Sequence, residues 1–317
     1  MYQIKQPSKI IIGKNSSRTF DYLDDSLIIT SSGARKRGWL DYLKIKNFMI
    51  YDDVESNPSM NTVETIFEKF ENEKISNIIG LGGGSCLDVA KFVAKKLKKQ
   101  KILIPTTFGS GSEVTRISVL KIDNKKQSFH GDDLFADIAI IDSYFIENTP
   151  ENIFKNSVID SIAQCSEGFD SKNGNYYTKF LCNHAFELLE DGVLNMNNEK
   201  IVLGSLVSGL GFGNCSTTLG HALSYVFSNE GYSHGHALAF TTKYAHKFNS
   251  SKFSKRFDNL VKHLKFENIH LNQNFDDAAD LILTDRKHID NNPRAISKEE
   301  IIHLLKIINE IDLSNKN

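Results

Sequence analysis

Ile75-Ser76-Asn77-Ile78-Ile79-Gly80-Leu81-Gly82-Gly83-Gly84-Ser85-Cys86-Leu87-Asp88-Val89-Ala90-Lys91 runs from an apolar stretch through three consecutive glycines into an amphipathic helix. Residues 75–81 read as a buried strand, and Val89, Phe92, Val93 and Leu97 recur on the inner face of the helix that follows. A glycine-rich turn between strand and helix lets the backbone approach an anion, and the helix N-terminus offers free N–H groups and a partial positive charge. A dinucleotide pyrophosphate suits such a cradle. The spacing is neither Gly-x-Gly-x-x-Gly nor a Walker loop, and a plain tight turn would use the same residues.

The flanking sequence repeats the alternation. Residues 27–30 and 48–51 read as buried strands ending at Ser31-Ser32-Gly33 and Asp52-Asp53, and Val63, Ile66, Phe67 and Phe70 recur at helical spacing before the quoted stretch. Beyond it, residues 102–104 run into Pro105-Thr106-Thr107-Phe108-Gly109-Ser110-Gly111-Ser112-Glu113, a loop with four hydroxyls and two glycines. Strands at 117–122 and 138–141, the first followed by a turn at Asp123-Asn124, complete this half. Such alternation predicts a parallel sheet covered on both faces. Ligands of open α/β sheets bind at the carboxyl ends of the strands, where these two polar loops lie.

Composition narrows the function classes. With 38 basic against 39 acidic residues, nothing favours a nucleic-acid or polyanionic partner. A chain of 317 residues, 40% hydrophobic and 24% charged, fits a globular protein of two domains. Residues 1–9 show neither a signal peptide nor a membrane span. The four cysteines, Cys86, Cys165, Cys182 and Cys215, include no Cys-x-x-Cys pair, which argues against a disulfide framework or a thiolate zinc knuckle and favours the cytoplasm.

After Pro150 the strand signals stop. Helical periodicity occupies 158–169, 176–190, 201–212, 219–227, 236–248 and 301–311, the last opened by a Ser297/Glu300 capping box. The expected boundary separates a nucleotide-binding α/β domain, 1–149, from an all-helical domain, 150–317. Within the latter, His221, His234 and His236 fall in sixteen residues interrupted by Gly231 and Gly235. Imidazoles on two segments of a helical hairpin converge on one point, as a metal site requires, although half-buried histidines without a ligand would read alike. Asp160 lies in an apolar stretch and needs a partner; a metal ion or a capping arrangement through Ser157 would each serve.

Taken in order along nearly the whole chain, these residues resemble the iron-containing alcohol dehydrogenase family, whose fold is shared with dehydroquinate synthase and glycerol dehydrogenase. Gly82-Gly83-Gly84-Ser85 with Asp88 and Lys91 is similar to the family's pyrophosphate loop, and residues 105–113 to its second cofactor loop. Asp160 matches the first metal ligand, and His221 and His234 match two later ones. Residues 160–165, 171–173, Thr217-Thr218, 221–225, 234–236 and Asn291-Asn292-Pro293 look closest to the phosphonoacetaldehyde reductase-like subgroup.

The resemblance implies a Rossmann-like α/β N-terminal domain with a parallel sheet plus an all-α C-terminal domain, the dehydroquinate synthase-like fold. It implies a metal-dependent NAD(P)H oxidoreductase that reduces a small, anionic, phosphonoacetaldehyde-like aldehyde to the alcohol. A non-catalytic or altered family member, or a lyase of the dehydroquinate synthase kind, is the alternative. One divalent metal, Fe²⁺ or Zn²⁺, would sit on Asp160, Gln164, His221 and His234, with Tyr225 or His236 delivering the proton. Ser31, Gly82, Gly83, Gly84, Ser85, Asp88, Thr106, Thr107, Ser110 and Ser112 would hold the cofactor. Gln164 and Tyr225 stand where many members carry histidine, and the chain is shorter than usual between 190 and 201 and in its last helices.

Many NAD-preferring relatives carry an acid after the first strand. Here Ser31-Ser32-Gly33 is followed by Arg35, Lys36 and Arg37, which favours NADP over NAD, although a solvated helix face would look the same. Arg116, Lys126, His130, Lys172 and Arg294 are the basic candidates for a substrate anion. The expected partners are the small substrate, with a homodimer allowed and neither nucleic acid nor membrane.

Overall fold

The first half of the chain forms strands β1 (Lys9–Ile12), β2 (Ser26–Ile29), β3 (Phe48–Tyr51), β4 (Asn77–Gly82), β5 (Gln100–Pro105), β6 (Ile117–Ile122), β7 (Lys125–His130) and β8 (Ile138–Ile141), most of them short apolar runs. The computed structural model describes residues 1–123 and 125–310, so Asn124 of the expected turn and Ile311 of the expected last helix lie outside the described residues. Among the described residues, six strands form a sheet in the order β1-β8-β5-β4-β2-β3, and every pairing in it is parallel. The helices between them are α1 (Ser16–Thr19), α2 (Gly33–Lys36), α3 (Trp39–Leu43), α4 (Met60–Phe70) and α5 (Gly84–Leu97). This unit spans Gln3–Thr149.

The register places the two expected loops side by side. Leu81 lies opposite Ile104 and Gly82 opposite Pro105, so the glycine-rich turn and the hydroxyl-rich loop leave adjacent strands at the same level. Gly80 is fixed by packing: a methyl group there would lie 2.8 Å from the Ala90 Cβ of α5 and 2.9 Å from Leu103 Cδ2. Gly82 has φ +153°, a conformation that side chains rarely adopt.

Two strands escape the sequence reading. β1 is an edge strand with half its residues exposed, so it lacks the fully apolar signature of β2 or β4. β7, Lys-Lys-Gln-Ser-Phe-His, is polar because it pairs only with β6, in an antiparallel hairpin outside the main sheet.

In the second unit, Pro150–Asn317 with Met1–Tyr2, the elements found among the described residues are helices. They are α6 (Glu151–Asp170), α7 (Tyr176–Leu194), α8 (Asn198–Phe212), α9 (Leu219–Asn229), α10 (His234–Phe248), α11 (Ser254–His263), α12 (Phe275–Thr284), α13 (Arg286–Asn291) and α14 (Lys298–Asn309). Ser297 and Glu300 form the capping box of α14, and Asn175 with Thr178 forms another on α7. α11, α12 and α13 were not expected, because each is short, with ten residues or fewer in which to show a helical period. Gly204 and Gly211 let α8 approach α7: methyl groups there would lie 2.7 Å from Leu189 Cγ and 2.7 Å from Cys182 Sγ. All four thiols are free and buried. Among the described residues, no helix is long and apolar enough to cross a membrane.

Candidate functional site

In the α/β unit, the glycines of the first loop are demanded by the second. A methyl on Gly83 would lie 2.9 Å from Thr107 Oγ1, and one on Gly84 would lie 2.9 Å from Ser110 Oγ. Gly83, Gly84, Ser85, Thr107 and Ser110 remain half-buried at the strand ends, while Thr106 is sealed with its N–H donating to Gly82 O at 3.0 Å. Ser31 is half-buried at the end of β2.

Asp88 and Ser112, expected to touch cofactor, are instead engaged with each other. Ser112 Oγ donates to Asp88 Oδ1 at 2.6 Å, and Val119 N donates to Oδ2 at 2.9 Å. Beneath them Lys91 is fully buried, with Nζ donating to Thr115 O at 3.1 Å and Ile117 O at 2.6 Å and standing 3.8 Å from Asp88 Oδ1. Burial holds the Lys91 amine down to about 8, with Asp88 opposing that fall. The carboxylate thus pins the second loop to α5 and neutralises a sealed cation. Asp88→Ala should therefore cost about 3–5 kcal/mol in urea unfolding, because it strands a buried charge.

In the helical unit, α6, α9 and α10 bring three side chains to one point. Asp160 Oδ1 is 3.8 Å from His221 Nε2 and 3.9 Å from His234 Nε2, and the three donor atoms lie within 4.8 Å of one another. Asp160 sits in the middle of α6, far from its N-cap Pro150, so a capping role is ruled out by position. Gln164, one turn on, donates Nε2 to Asp160 Oδ1 at 2.9 Å, while its buried Oε1 has no partner. A carboxylate, two imidazoles and an orphaned amide oxygen form a donor set that fits a divalent cation.

A second carboxylate backs this set. Glu167 Oε2 accepts from His221 Nδ1, and Glu167 Oε1 accepts from Thr218 Oγ1 at 2.9 Å and Gly220 N at 2.5 Å. Burial works against both charges, yet mutual attraction prevails: Glu167 is held down to about 2 and His221 is raised to about 9, with Asp160 adding to the latter. Fixing Nδ1–H on Glu167 leaves Nε2 to face Asp160 and His234. Gly220 is essential to this contact, since a methyl there would lie 2.6 Å from Thr242 Oγ1 and 2.8 Å from Glu167 Oε1.

Tyr225 stands at the edge of the cluster, its ring 6.3 Å from that of His234 and 6.0 Å from that of His288. Burial, with Asp285, Asp160 and Glu167, pushes its hydroxyl well above the usual range. His236 does not join it. Its Nε2 bonds Glu267 O at 2.5 Å and its ring packs on Tyr232, Phe240 and Phe266, because residues two apart on α10 face different sides.

The expected anion partners are engaged elsewhere. Arg294 lies over the Phe248 ring and bonds Glu300 at 2.8 Å; Lys172 donates to Asp290 O at 3.3 Å. In the α/β unit Arg116 pairs with Asp132 at 3.0 Å, His130 contacts Ser128 Oγ at 2.9 Å, and Lys126 is half-buried on β7. Sequence reasoning missed Glu167, although Asp160, Gln164 and Glu167 share one helix face at i, i+4 and i+7. It also missed Gly220, Asp285 and His288.

The chain matches the family model described as iron-containing alcohol dehydrogenase over residues 7–143, and its C-terminal counterpart over 154–284. It is 32% identical over 209 residues to the 4-hydroxybutyrate dehydrogenase of Clostridium kluyveri, covering 57% of this chain and 56% of that protein. Identity to the long-chain-alcohol dehydrogenase 1 of Geobacillus thermodenitrificans is 30%, over 68% of this chain and 62% of the relative. The chain thus spans little more than half the length of these two relatives. With the sulfoacetaldehyde reductase of Bilophila wadsworthia it shares 24% identity over 81% of this chain and 83% of the other. The crystal structure of sulfoacetaldehyde reductase from Bifidobacterium kashiwanohense in complex with NAD+ shares the fold, with a TM-score of 0.90 at 22% identity, over 98% of this chain and 100% of that one.

Proposed function

Because the chain belongs to the iron-containing alcohol dehydrogenase family, we propose that it reduces a small aldehyde to the alcohol with a nicotinamide cofactor and one divalent metal held by Asp160, His221 and His234. The convergence of those donor atoms within 4.8 Å carries the reading. A divalent ion there would supply Lewis-acid polarisation of a carbonyl. Fe²⁺ is the ion favoured by the family; Zn²⁺ suits the same donors.

The chain's own residues set the conditions. Glu167 keeps the His221 proton on Nδ1, and Gln164 steadies Asp160 Oδ1. Tyr225 keeps its proton at neutral pH, so its role is to donate a hydrogen bond to a substrate oxygen. Ser31, Gly83, Gly84, Ser85, Thr107 and Ser110, all half-buried at strand ends, are the cofactor contacts we retain. The free thiols suit a reducing cytoplasm.

An anionic aldehyde is supported by relatives whose names specify sulfoacetaldehyde and 4-hydroxybutyrate. Metal-loaded protein should oxidise NADH with sulfoacetaldehyde, succinate semialdehyde or phosphonoacetaldehyde, with kcat/KM for at least one about tenfold above that for propanal. Loss of metal should abolish turnover. A metal-loaded protein inert towards all four aldehydes would sink the reading.

Cofactor preference is sharpened by two contacts. Arg35 Nε pairs with Asp52 Oδ2 at 2.6 Å and Arg37 lies 5.0 Å from the Trp39 ring, so both cations already have partners. We expect NADH to serve at least as well as NADPH. A KM for NADPH about ten times lower than that for NADH would restore the NADP preference read from the sequence.

A further inference from the structure

The short helix α13 is fixed at both ends. Asp285 caps it, its Oδ2 lying 2.6 Å from His288 Nδ1 and its Oδ1 3.4 Å from the His288 N–H. At the other end Asn291 Nδ2 donates to Cys215 O at 2.9 Å and Thr217 O at 3.0 Å, in the segment that leads into α9. The clamp sets the His288 ring 6.1 Å from that of His221, at an interplanar angle of 23°, and 6.0 Å from that of Tyr225.

His288 is only 6% exposed. A carboxylate on Nδ1 keeps the proton there and leaves Nε2 as an acceptor. Among the described residues, Asp285 is the hydrogen-bond partner of the ring, and Nε2 has none. Nε2 is not one of the sealed polar atoms of the chain, so this edge of an otherwise buried ring is reachable by a bound molecule. His288 lies outside the group of donor atoms within 4.8 Å of one another, which makes it a contact for a bound molecule rather than a metal ligand.

We propose that His288, oriented by Asp285, is a substrate-binding residue whose Nε2 accepts the hydroxyl hydrogen of the alcohol. Asp285 acts through it as a positioning residue. The proposal rests on the dehydrogenase reading and supplies what that reading lacks, an imidazole beside both Tyr225 and His221. No electron or atom is transferred in this step; the contact holds the alcohol oxygen.

The test uses Co²⁺-loaded full-length protein titrated with 2-hydroxyethanesulfonate and with 4-hydroxybutyrate, followed by the Co²⁺ visible spectrum. His288→Ala should raise the alcohol Kd about tenfold, the worth of one hydrogen bond, while Co²⁺ affinity stays within about threefold of wild type. His288→Gln, whose amide oxygen still accepts, should recover part of the loss, and Asp285→Asn should fall between. Unchanged alcohol Kd in both His288 variants overturns the proposal. So does a fall of more than about tenfold in Co²⁺ affinity for His288→Gln, which would make His288 a ligand. If the wild type binds neither alcohol and oxidises no NADH, the dehydrogenase reading fails as well; intact turnover with unaltered alcohol binding condemns the His288 contact alone.

Discussion

Replacing Glu167 with alanine is expected to lower divalent-metal affinity by about 10- to 100-fold and to cost about 3–5 kcal/mol of stability. Glu167 is 1% exposed and serves His221, Thr218 and Gly220 at once, so its removal frees the His221 ring to turn and leaves three donors without an acceptor. Glu167→Gln should keep the shape and lose less stability, yet still weaken metal binding, because an amide does not hold the Nδ1–H of His221 as a carboxylate does. Co²⁺ titration and urea unfolding of both variants separate the two effects.

The same pair sets a pH dependence. His221 is raised to about 9, so in the metal-free protein Nε2 carries a proton at neutral pH that a metal must displace. Apparent metal affinity should rise by about tenfold per pH unit towards pH 9 and level off above it. For stability the sign is opposite. The raised His221 pKa contributes fully below about 6.5, and that contribution disappears as pH climbs through about 9. The depressed Glu167 pKa contributes above about 4.5 and is lost as pH falls towards about 2.

Gly235→Ala should be the most damaging single methyl in the helical unit. Its Cβ would fall 2.0 Å from the Asn156 carbonyl oxygen and 2.6 Å from the Asn156 carbonyl carbon, backbone atoms of α6 that have no rotamer to yield. Relief requires α10 to move away from α6, which parts His234 from Asp160. A loss of about 1–3 kcal/mol or more follows from overpacking, with metal affinity falling more than about tenfold. Gly231→Ala is the control: φ there is +101° but nothing lies within 4 Å, so it should cost backbone strain of about 1–2 kcal/mol and leave the donor set together.

Much of this site is visible in the sequence because its spacing is helical. Tyr225 follows His221 by four residues on α9 and lies beside the His234 ring, whereas His236 follows His234 by two and faces away. The strand ends were equally plain, since β4 and β5 are apolar runs that stop at glycine or proline. What was not legible depends on packing between distant segments. Gly220 and Gly235 look like ordinary helix glycines until Glu167 and Asn156 are placed against them. Asp88 reads as a cofactor contact until Ser112 and Val119 are seen to occupy its carboxylate. His288 lies 67 residues beyond His221, in a six-residue helix with no periodicity to announce it.

If Asp160, His221 and His234 hold a divalent ion, that binding is visible in solution. Titration of the metal-free protein with Co²⁺ tests it most directly, in the wild type and in Asp160→Ala. One tight site with intense visible absorption in the wild type, weakened at least about 100-fold in Asp160→Ala, is the expected result. Equal Co²⁺ binding by the two proteins, or no tight site in the wild type, would contradict the account.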